Sequence, residues 1–288
     1  MSVLTRSDIV AKIKSGTSLA GADLSQLDLY AIALSEVDLS NTNLSGATLT
    51  NADLERANLS NANLENADLR GANLENANLT GANLTGAYVT RANLQGANLS
   101  DANLTNIKVQ LTTYSKNTQF PSEFSYKSSG AVGPGAMLNG AYLNTANLRK
   151  VDLTGAKLIG AYLSGADLTG AILEDVSFSG ANLQKAFLTG ACLRKARFSG
   201  AELQGVDLRA ADLTDADVTG IANIAGADFS MVKGLSSDDR DRLLSSFSPQ
   251  DLATWNDYTR CNTRDSLLEG MKEQNKNNEG LSDVISQK

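Results

Sequence analysis

The side chains equipped for catalysis are few, and their spacing suits it poorly. The 288-residue chain contains no histidine, which removes the commonest general base near neutral pH. Its two cysteines, Cys192 and Cys261, lie far apart and lack the spacing of a zinc site or a disulfide framework. Asp212, Asp215 and Asp217 are close enough to suggest cation chelation, but a solvated face is the better account of them. Asp152, Asp167, Asp207 and Asp212 stand where neighbouring segments carry Asn, so the carboxylate itself is not required there. No Gly-rich phosphate loop or nucleophile elbow is present. These residues point to a non-enzymatic protein that uses no cofactor and no metal.

What positions all of them is a five-residue unit. From Ala136 to Gly220 a large apolar residue comes at every fifth place, as in Leu138, Leu143, Leu148, Leu153 and on through Phe178, Phe198 and Val218. Two places before each stands a small residue, usually Ala (Ala141, Ala146, Ala156) and sometimes Val (Val151, Val176). A second run, Thr17 to Val109, repeats a cleaner A-(N/D)-L-x-x form. A period of five fits neither an amphipathic helix nor an alternating strand. On a helix the large residues would advance about 140° per step and leave no single buried face. On a plain strand they would alternate between faces. The pattern works when each unit forms one side of a coil and the chain then turns a corner. Four sides make a coil of 20 residues, with the Leu and the small residue both pointing inward.

Other spacings agree with this coil. Gly140, Gly160, Gly180, Gly200 and Gly220 recur at one corner, where glycine tolerates φ > 0 or a close approach. Asn43, Asn63, Asn83 and Asn103 fall into one vertical column, and Asn58, Asn78 and Asn98 into another, as in the amide ladders of stacked strands. Phe178 and Phe198 should stack inside. Tyr142 and Tyr162, each one place before its Leu, should stack outside.

Segments such as Ala57-Asn58-Leu59-Ser60-Asn61 and Ala166-Asp167-Leu168-Thr169-Gly170 resemble the pentapeptide-repeat proteins, over roughly two thirds of the chain. The resemblance implies an all-β solenoid, a right-handed quadrilateral parallel β-helix with four pentapeptides per coil and Leu or Phe along the axis. Many such proteins have no assigned activity, and a subset imitates duplex DNA and acts on DNA gyrase. The alternative function is therefore a DNA-mimicking regulator or inhibitor of gyrase. A duplex carries about one negative charge per 1.7 Å of axis. Here the first run has four basic and ten acidic residues, and the stretch from Ala136 to Gly234 has nine and ten, which match DNA poorly.

Along the chain, residues 1–16 read as an N-terminal capping helix starting near Ser7 and stopping at Gly16. Residues 17–109 form the first repeat segment, 110–135 a non-repeat loop insertion, and 136–234 the second repeat segment. Residues 235–288 form a C-terminal α-helical cap and polar tail, with one helix near Asp238–Phe247. A second helix begins at Ser248-Pro249 and carries Leu252, Trp255 and Tyr258; a third runs from about Arg264 to Gln274. The insertion holds Tyr114, Phe120, Phe124 and Tyr126. Tyr114-x5-Phe120-Pro121-x2-Phe124 looks like a covering loop seen in relatives from photosynthetic bacteria. The aromatics either dock onto the coil or protrude toward a partner.

The net charge of −7 is unlike that of a nucleic-acid or anionic-membrane binder. No apolar run approaches the roughly 20 residues of a membrane helix, and the expected location is the cytoplasm. The expected role is a scaffold or protein–protein interaction module with a regulatory use, whose protein partner the sequence does not identify. Neither direct nucleic-acid binding nor membrane insertion is expected. Candidate protein-binding residues are Tyr114, Phe120, Phe124, Tyr126, Tyr142 and Tyr162. The chain is expected to be a monomer or a homodimer through C-terminal helices, as in some relatives, with Leu252, Trp255 and Tyr258 as candidate dimer contacts.

Overall fold

One pentapeptide, Ala62-Asn63-Leu64-Glu65-Asn66, contains the logic of the fold. In the computed structural model, which describes residues 4–269, all five of its backbone N–H groups have partners. Ala62 donates to Leu59 O at 3.0 Å, closing a β-turn. Asn63 donates to Thr42 O at 2.9 Å, in the coil before, and Leu64 donates to Asn83 O at 2.7 Å, in the coil after. Asn66 donates to Thr85 O at 2.9 Å. Glu65 has no backbone acceptor and donates instead to Oδ1 of Asn63 at 3.2 Å. A buried or half-buried amide without a partner is costly, and this last bond explains why the second place of the unit favours Asn or Asp.

The Asn side chain has a second use. Its Nδ2 donates to Oδ1 of the residue 20 places earlier, as in Asn43 to Asp23, Asn63 to Asn43 and Asn83 to Asn63. Parallel columns run through Asp38, Asn58 and Asn78 and through Asp53, Asn73 and Asn93. Each of these columns begins with Asp, which accepts from the Asn that follows it.

The chain divides into two compact units, Met1–Ala136 and Met137–Lys288. Within each, single-residue parallel bridges recur every fifth residue and join positions 20 apart. They run from Asp23↔Asn43 to Asn93↔Thr113 in the first unit and from Met137↔Lys157 to Arg197↔Asp217 in the second. The inward leucines are almost wholly buried, for example Leu64, Leu74, Leu168 and Leu183 at 0% exposure, with Ala62, Ala72 and Ala166 buried beside them. Phe178 and Phe198 stack inside at 5.6 Å between ring centroids.

The turn residue two places after each Leu has φ near +60°, the signature of a type II turn. Glycine is not obligatory there: Asn41, Arg56, Thr145, Lys150, Lys195 and Ala210 all adopt it, at φ between 54° and 58°. The recurring glycines at 140, 160, 180 and 200 are therefore not explained by dihedral need alone.

One boundary differs from the sequence expectation. The first coil does not stop at Val109. Thr113 and Gln119 remain in the ladder, bridged to Asn93 and Asn98, and Val132 pairs with Thr113. Tyr114 takes the inward position, and Thr112 takes the Ala position with its hydroxyl bonded to Val89 O at 2.6 Å. The coil requires a shape and a satisfied backbone, not the consensus residues. Near the other end, the spacing widens by one residue, so that Glu202 pairs with Asn223 and Asp207 with Asp228.

The helices are small. Helix α1 spans Arg6–Lys14 and is capped by Thr5, not Ser7, in a reciprocal box with Asp8; its Ile9 is buried. Helix α2 spans Ser237–Ser246 with Ser236 as cap, and α3 spans only Pro249–Leu252 with Ser248 as cap. The longer helix carrying Trp255 and Tyr258 does not form. The chain leaves α3 at Ala253 and folds into a loop closed by the antiparallel pair Trp255↔Asn262. Asn256, 1% exposed, anchors that loop by donating Nδ2 to the carbonyls of Gly205, Val206 and Gly226 at 2.8–3.3 Å. Residues 263–269 are helical; the expected continuation to Gln274, and the polar tail, lie outside the described residues.

Removing an inward ring should therefore be expensive. Phe178→Ala leaves a cavity and a lost stacking partner, for a loss of about 3–5 kcal/mol. Urea denaturation followed by circular dichroism should show it, and a stability within about 1 kcal/mol of wild type would contradict the inward packing.

Candidate interaction surface

The outward position one place before each Leu is held by its bridge, so side chains in one ladder lie about 4.8 Å apart. That spacing brings aromatic rings into contact. Tyr142 and Tyr162 are a bridged pair whose rings stack at 4.9 Å with an interplanar angle of 4°. They are 79% and 43% exposed, so the stack is formed in solvent and not under a covering segment. In the adjoining ladder Met137 pairs with Lys157; Met137 is half exposed, as is Ile159 two places beyond Lys157. Each of these side chains is exposed, with Lys157 the one cation among them.

Tyrosine at this place cannot supply the oxygen that Asn or Asp normally gives to the N–H two residues on. The chain replaces it from the coil before. Asn144 Oδ1 accepts from Ser164 N at 3.0 Å, and Asn139 Oδ1 accepts from Ile159 N at 3.2 Å. Those two asparagines release positions 162 and 157 from backbone duty. The sequence reading singled out the tyrosines but missed Met137, Ile159 and this compensation; the signal was Asn one place after the Leu instead of one place before.

The aromatics of residues 110–135 behave differently. Tyr114 is buried at 3% exposure and its hydroxyl donates to Pro134 O at 2.9 Å. It meets Phe120 at 5.8 Å and Tyr126 at 5.2 Å, both edge-on, while Phe120 stacks on Tyr126 at 4.7 Å and touches Phe124 at 5.6 Å. The four rings form one cluster against the coil, with Phe120, Phe124 and Tyr126 only partly exposed. Phe124 also borders an open cleft of about 320 Å³ with Leu104, Pro121 and Glu123. The rings serve mainly to close the coil, and Tyr114 is inaccessible to a partner.

Of the expected dimer contacts, Leu252 is buried in its own unit at 1% exposure and drops out. Trp255 and Tyr258 remain more than half exposed. Tyr258 packs its ring against Phe187 at 5.0 Å, and neighbouring Asp257 pairs with Lys185 at 3.1 Å. A cleft of about 150 Å³ lies between this loop and Gln204, Gly205 and Ala225.

The acids are largely engaged in structure. Asp212 accepts from the N–H and hydroxyl of Thr214, and Asp217 does the same for Thr219. These bonds hold both carboxyls below their ordinary pKa. Among the described residues no three His, Cys, Asp or Glu side chains gather in a way that would hold a metal ion. Many cations pair with nearby acids: Arg56 with Glu36, Arg149 with Asp167, Arg194 with Glu174 and Arg197 with Asp175. Asp207 is the most buried of these partners, at 3% side-chain exposure. It accepts two bonds from the Arg209 guanidinium and one from Thr189. Burial pushes its pKa up, but the bonds from Arg209 and Thr189 outweigh it and the net shift is downward. Both cysteines are free, and burial raises the Cys261 thiol. No helix among the described residues is long and apolar enough to cross a membrane.

Comparison with known proteins gives a consistent answer. A family model described as pentapeptide repeats matches in 8 copies, over residues 28–71, 67–106, 135–165, 161–200 and 191–230. Among solved structures, a pentapeptide repeat protein from Nostoc PCC 7120 is 31% identical, covering 44% of this chain and 93% of that one, with a TM-score of 0.30. HetL, a pentapeptide repeat protein involved in heterocyst differentiation regulation from the cyanobacterium Nostoc sp. strain PCC 7120, is 26% identical. That match covers 81% and 98% of the two chains, with a TM-score of 0.27. QnrB1, a plasmid-mediated fluoroquinolone resistance protein, is 19% identical over 78% and 94%, with a TM-score of 0.30. No curated protein matches the chain significantly.

Two outcomes test this surface chemistry. Asn144→Ala should leave Ser164 N–H without its acceptor and lower stability by about 1 kcal/mol, whereas Asn144→Asp keeps an acceptor and should lose less. Equal losses in urea denaturation would show that the bond is not the cause. Asp207, whose folded pKa is depressed, contributes stability that is complete above the ordinary Asp value. That contribution is lost as pH falls through the lower folded value. Melting temperature should thus fall from about pH 5 downward, and Asp207→Asn should flatten that fall. An unchanged pH profile in the variant would remove Asp207 from the account.

Proposed function

The chain belongs to the pentapeptide-repeat family, and from that premise we propose that it is a non-enzymatic scaffold or protein–protein interaction module with a regulatory use. Each unit is read as a right-handed quadrilateral β-helix. The observation that carries the reading is the Tyr142–Tyr162 stack, formed outside the coil and left open to solvent. Exposed contiguous apolar surface on a soluble chain marks an interaction site, and rigid aromatic pairs lose little entropy on contact. The inward residues are already accounted for by packing, so recognition falls to the outward ladders. The partner is a protein and not nucleic acid or lipid, and the setting is cytoplasmic. The DNA-mimic alternative is not adopted, because Arg56, Arg149, Arg194, Arg197 and Arg209 pair with acids that such a surface would present unpaired.

Affinity capture from the native host's lysate tests this, with the intact chain compared to a Tyr142→Ser/Tyr162→Ser variant. Both positions are outward, so the variant should keep the wild-type circular dichroism and lose only the stack's contribution of about 1 kcal/mol. The expected result is a defined protein, other than the chain itself, retained by wild type and depleted at least about tenfold with the variant. Equal retention by both forms, or no specific retention, would sink the assignment of this face.

A further inference from the structure

The coil sorts the chain's seven tyrosines by which ring can meet another. Tyr30 and Tyr88 stand about half exposed, three 20-residue coils apart. Tyr114 and Tyr126 approach to 5.2 Å but edge-on, at 84°, with Tyr114 buried and its hydroxyl bonded to Pro134 O. Tyr258 meets the ring of Phe187, at 61°. Tyr142 and Tyr162 are the one pair of tyrosines lying ring over ring, at 4.9 Å and 4°, and both are open to solvent. Their backbones are locked in the ladder: Tyr162 N donates to Ala141 O at 2.9 Å, and Leu143 N donates to Tyr162 O at 2.7 Å. The ring separation matches the ladder spacing of about 4.8 Å, the mark of two rings in the same rotamer with their hydroxyls at the same end of the stack.

A phenol that gives up one electron and its hydroxyl proton becomes a phenoxyl radical, whose unpaired spin lies largely on the carbons ortho to oxygen. Two such rings held in a stack react as neighbours in one molecule, which favours their coupling over encounters between chains. The remaining approach from ring contact to bonding distance is within the fast rotamer motion of exposed side chains. We propose that Tyr142 and Tyr162 form an oxidative modification site, joined as an intrachain dityrosine by a one-electron oxidant of the haem peroxidase class acting with hydrogen peroxide. Each phenol loses one electron and one proton to the oxidant, and the two radicals pair their electrons in a new bond between ortho carbons. The hydrogens on those carbons then move to the oxygens and restore both phenols. The linked pair is two hydrogens lighter, and one hydrogen peroxide is reduced to two waters. The bond staples successive coils of the second unit. The ladders of the first unit offer no such pair, because Tyr88 has Asp68 and Lys108 as its neighbours. The reaction needs no protein partner, so it stands or falls apart from the interaction reading of this face.

The test treats the dilute full-length chain with a haem peroxidase and limiting hydrogen peroxide, followed by tryptic digestion and tandem mass spectrometry. Tyr142 and Tyr162 fall on separate tryptic peptides, 128–149 and 158–185. The expected product is those two peptides joined and two hydrogens lighter, recovered from protein that still migrates as a single chain in denaturing electrophoresis. Dityrosine fluorescence should rise in parallel. Tyr162→Phe keeps a ring in the stack but removes one phenol, so the link should vanish while the circular dichroism melt stays as in wild type. Tyr126→Phe, outside the stack, should leave the yield unchanged. In urea the preference for this pair should be lost. No dityrosine, coupling mainly between chains, or coupling mainly at other tyrosines of the folded protein overturns the proposal. So does a preference for residues 142 and 162 that persists in the unfolded chain, since the stack would then not direct the reaction.

Discussion

The structure depends on one constraint: a coil with sides of a single bridged residue must still satisfy every backbone amide. Each side has five N–H groups, and the ladder and the turn take four of them. The fifth, one place after the Leu, reaches the side chain of the Asn or Asp before the Leu, as Glu65 reaches Asn63 and Thr85 reaches Asn83. The same amide then hands its Nδ2 proton to the coil before. Small residues at the Ala position and Leu along the axis follow from the close packing that such short sides impose.

Once that demand is met, inward and outward positions separate sharply in what they tolerate. Inward places accept Leu, Phe, Val and a few hydroxyls that bond back to the chain, as Thr42 does to Leu39 O at 2.6 Å. Outward places accept anything that either supplies the acceptor oxygen or has it supplied from elsewhere. The second unit uses the latter freedom. Asn139 and Asn144 cover for Lys157 and Tyr162 one coil away, and the surface so released carries the exposed aromatic stack. Backbone satisfaction and surface composition are thus coupled through Asn139 and Asn144.

Much of this was legible in the sequence because period and register are the same thing in such a coil. The 20-residue columns of Asn, the Phe178–Phe198 stack and the Tyr142–Tyr162 stack all follow from counting. What counting missed lies where a residue's role depends on a contact remote in sequence. Pro249 and Ser248 start a helix correctly, but its end is decided by Asn256, whose side chain is drawn into the carbonyls of Gly205 and Gly226. That bond diverts Trp255 and Tyr258 from a helix face to a loop. Thr5 displaced Ser7 as the helix cap because Asp8 lies three residues on, where it can return the bond.

The aromatics illustrate the limit most clearly. Tyr114 and Tyr142 are chemically identical and both flank a break in the repeat, so composition gives them the same candidate role. One place of register separates them: Tyr114 falls on an inward slot and Tyr142 on the outward slot before one. The first becomes the centre of a four-ring cluster whose apolar area closes the coil. The second keeps its area in water, where it stabilises nothing in its own chain beyond the contact with Tyr162. Burying a tyrosine ring is worth roughly 2 kcal/mol or more, so leaving one 79% exposed forgoes stability that the inward slots collect throughout the chain. That forgone burial is recovered only when another surface covers it.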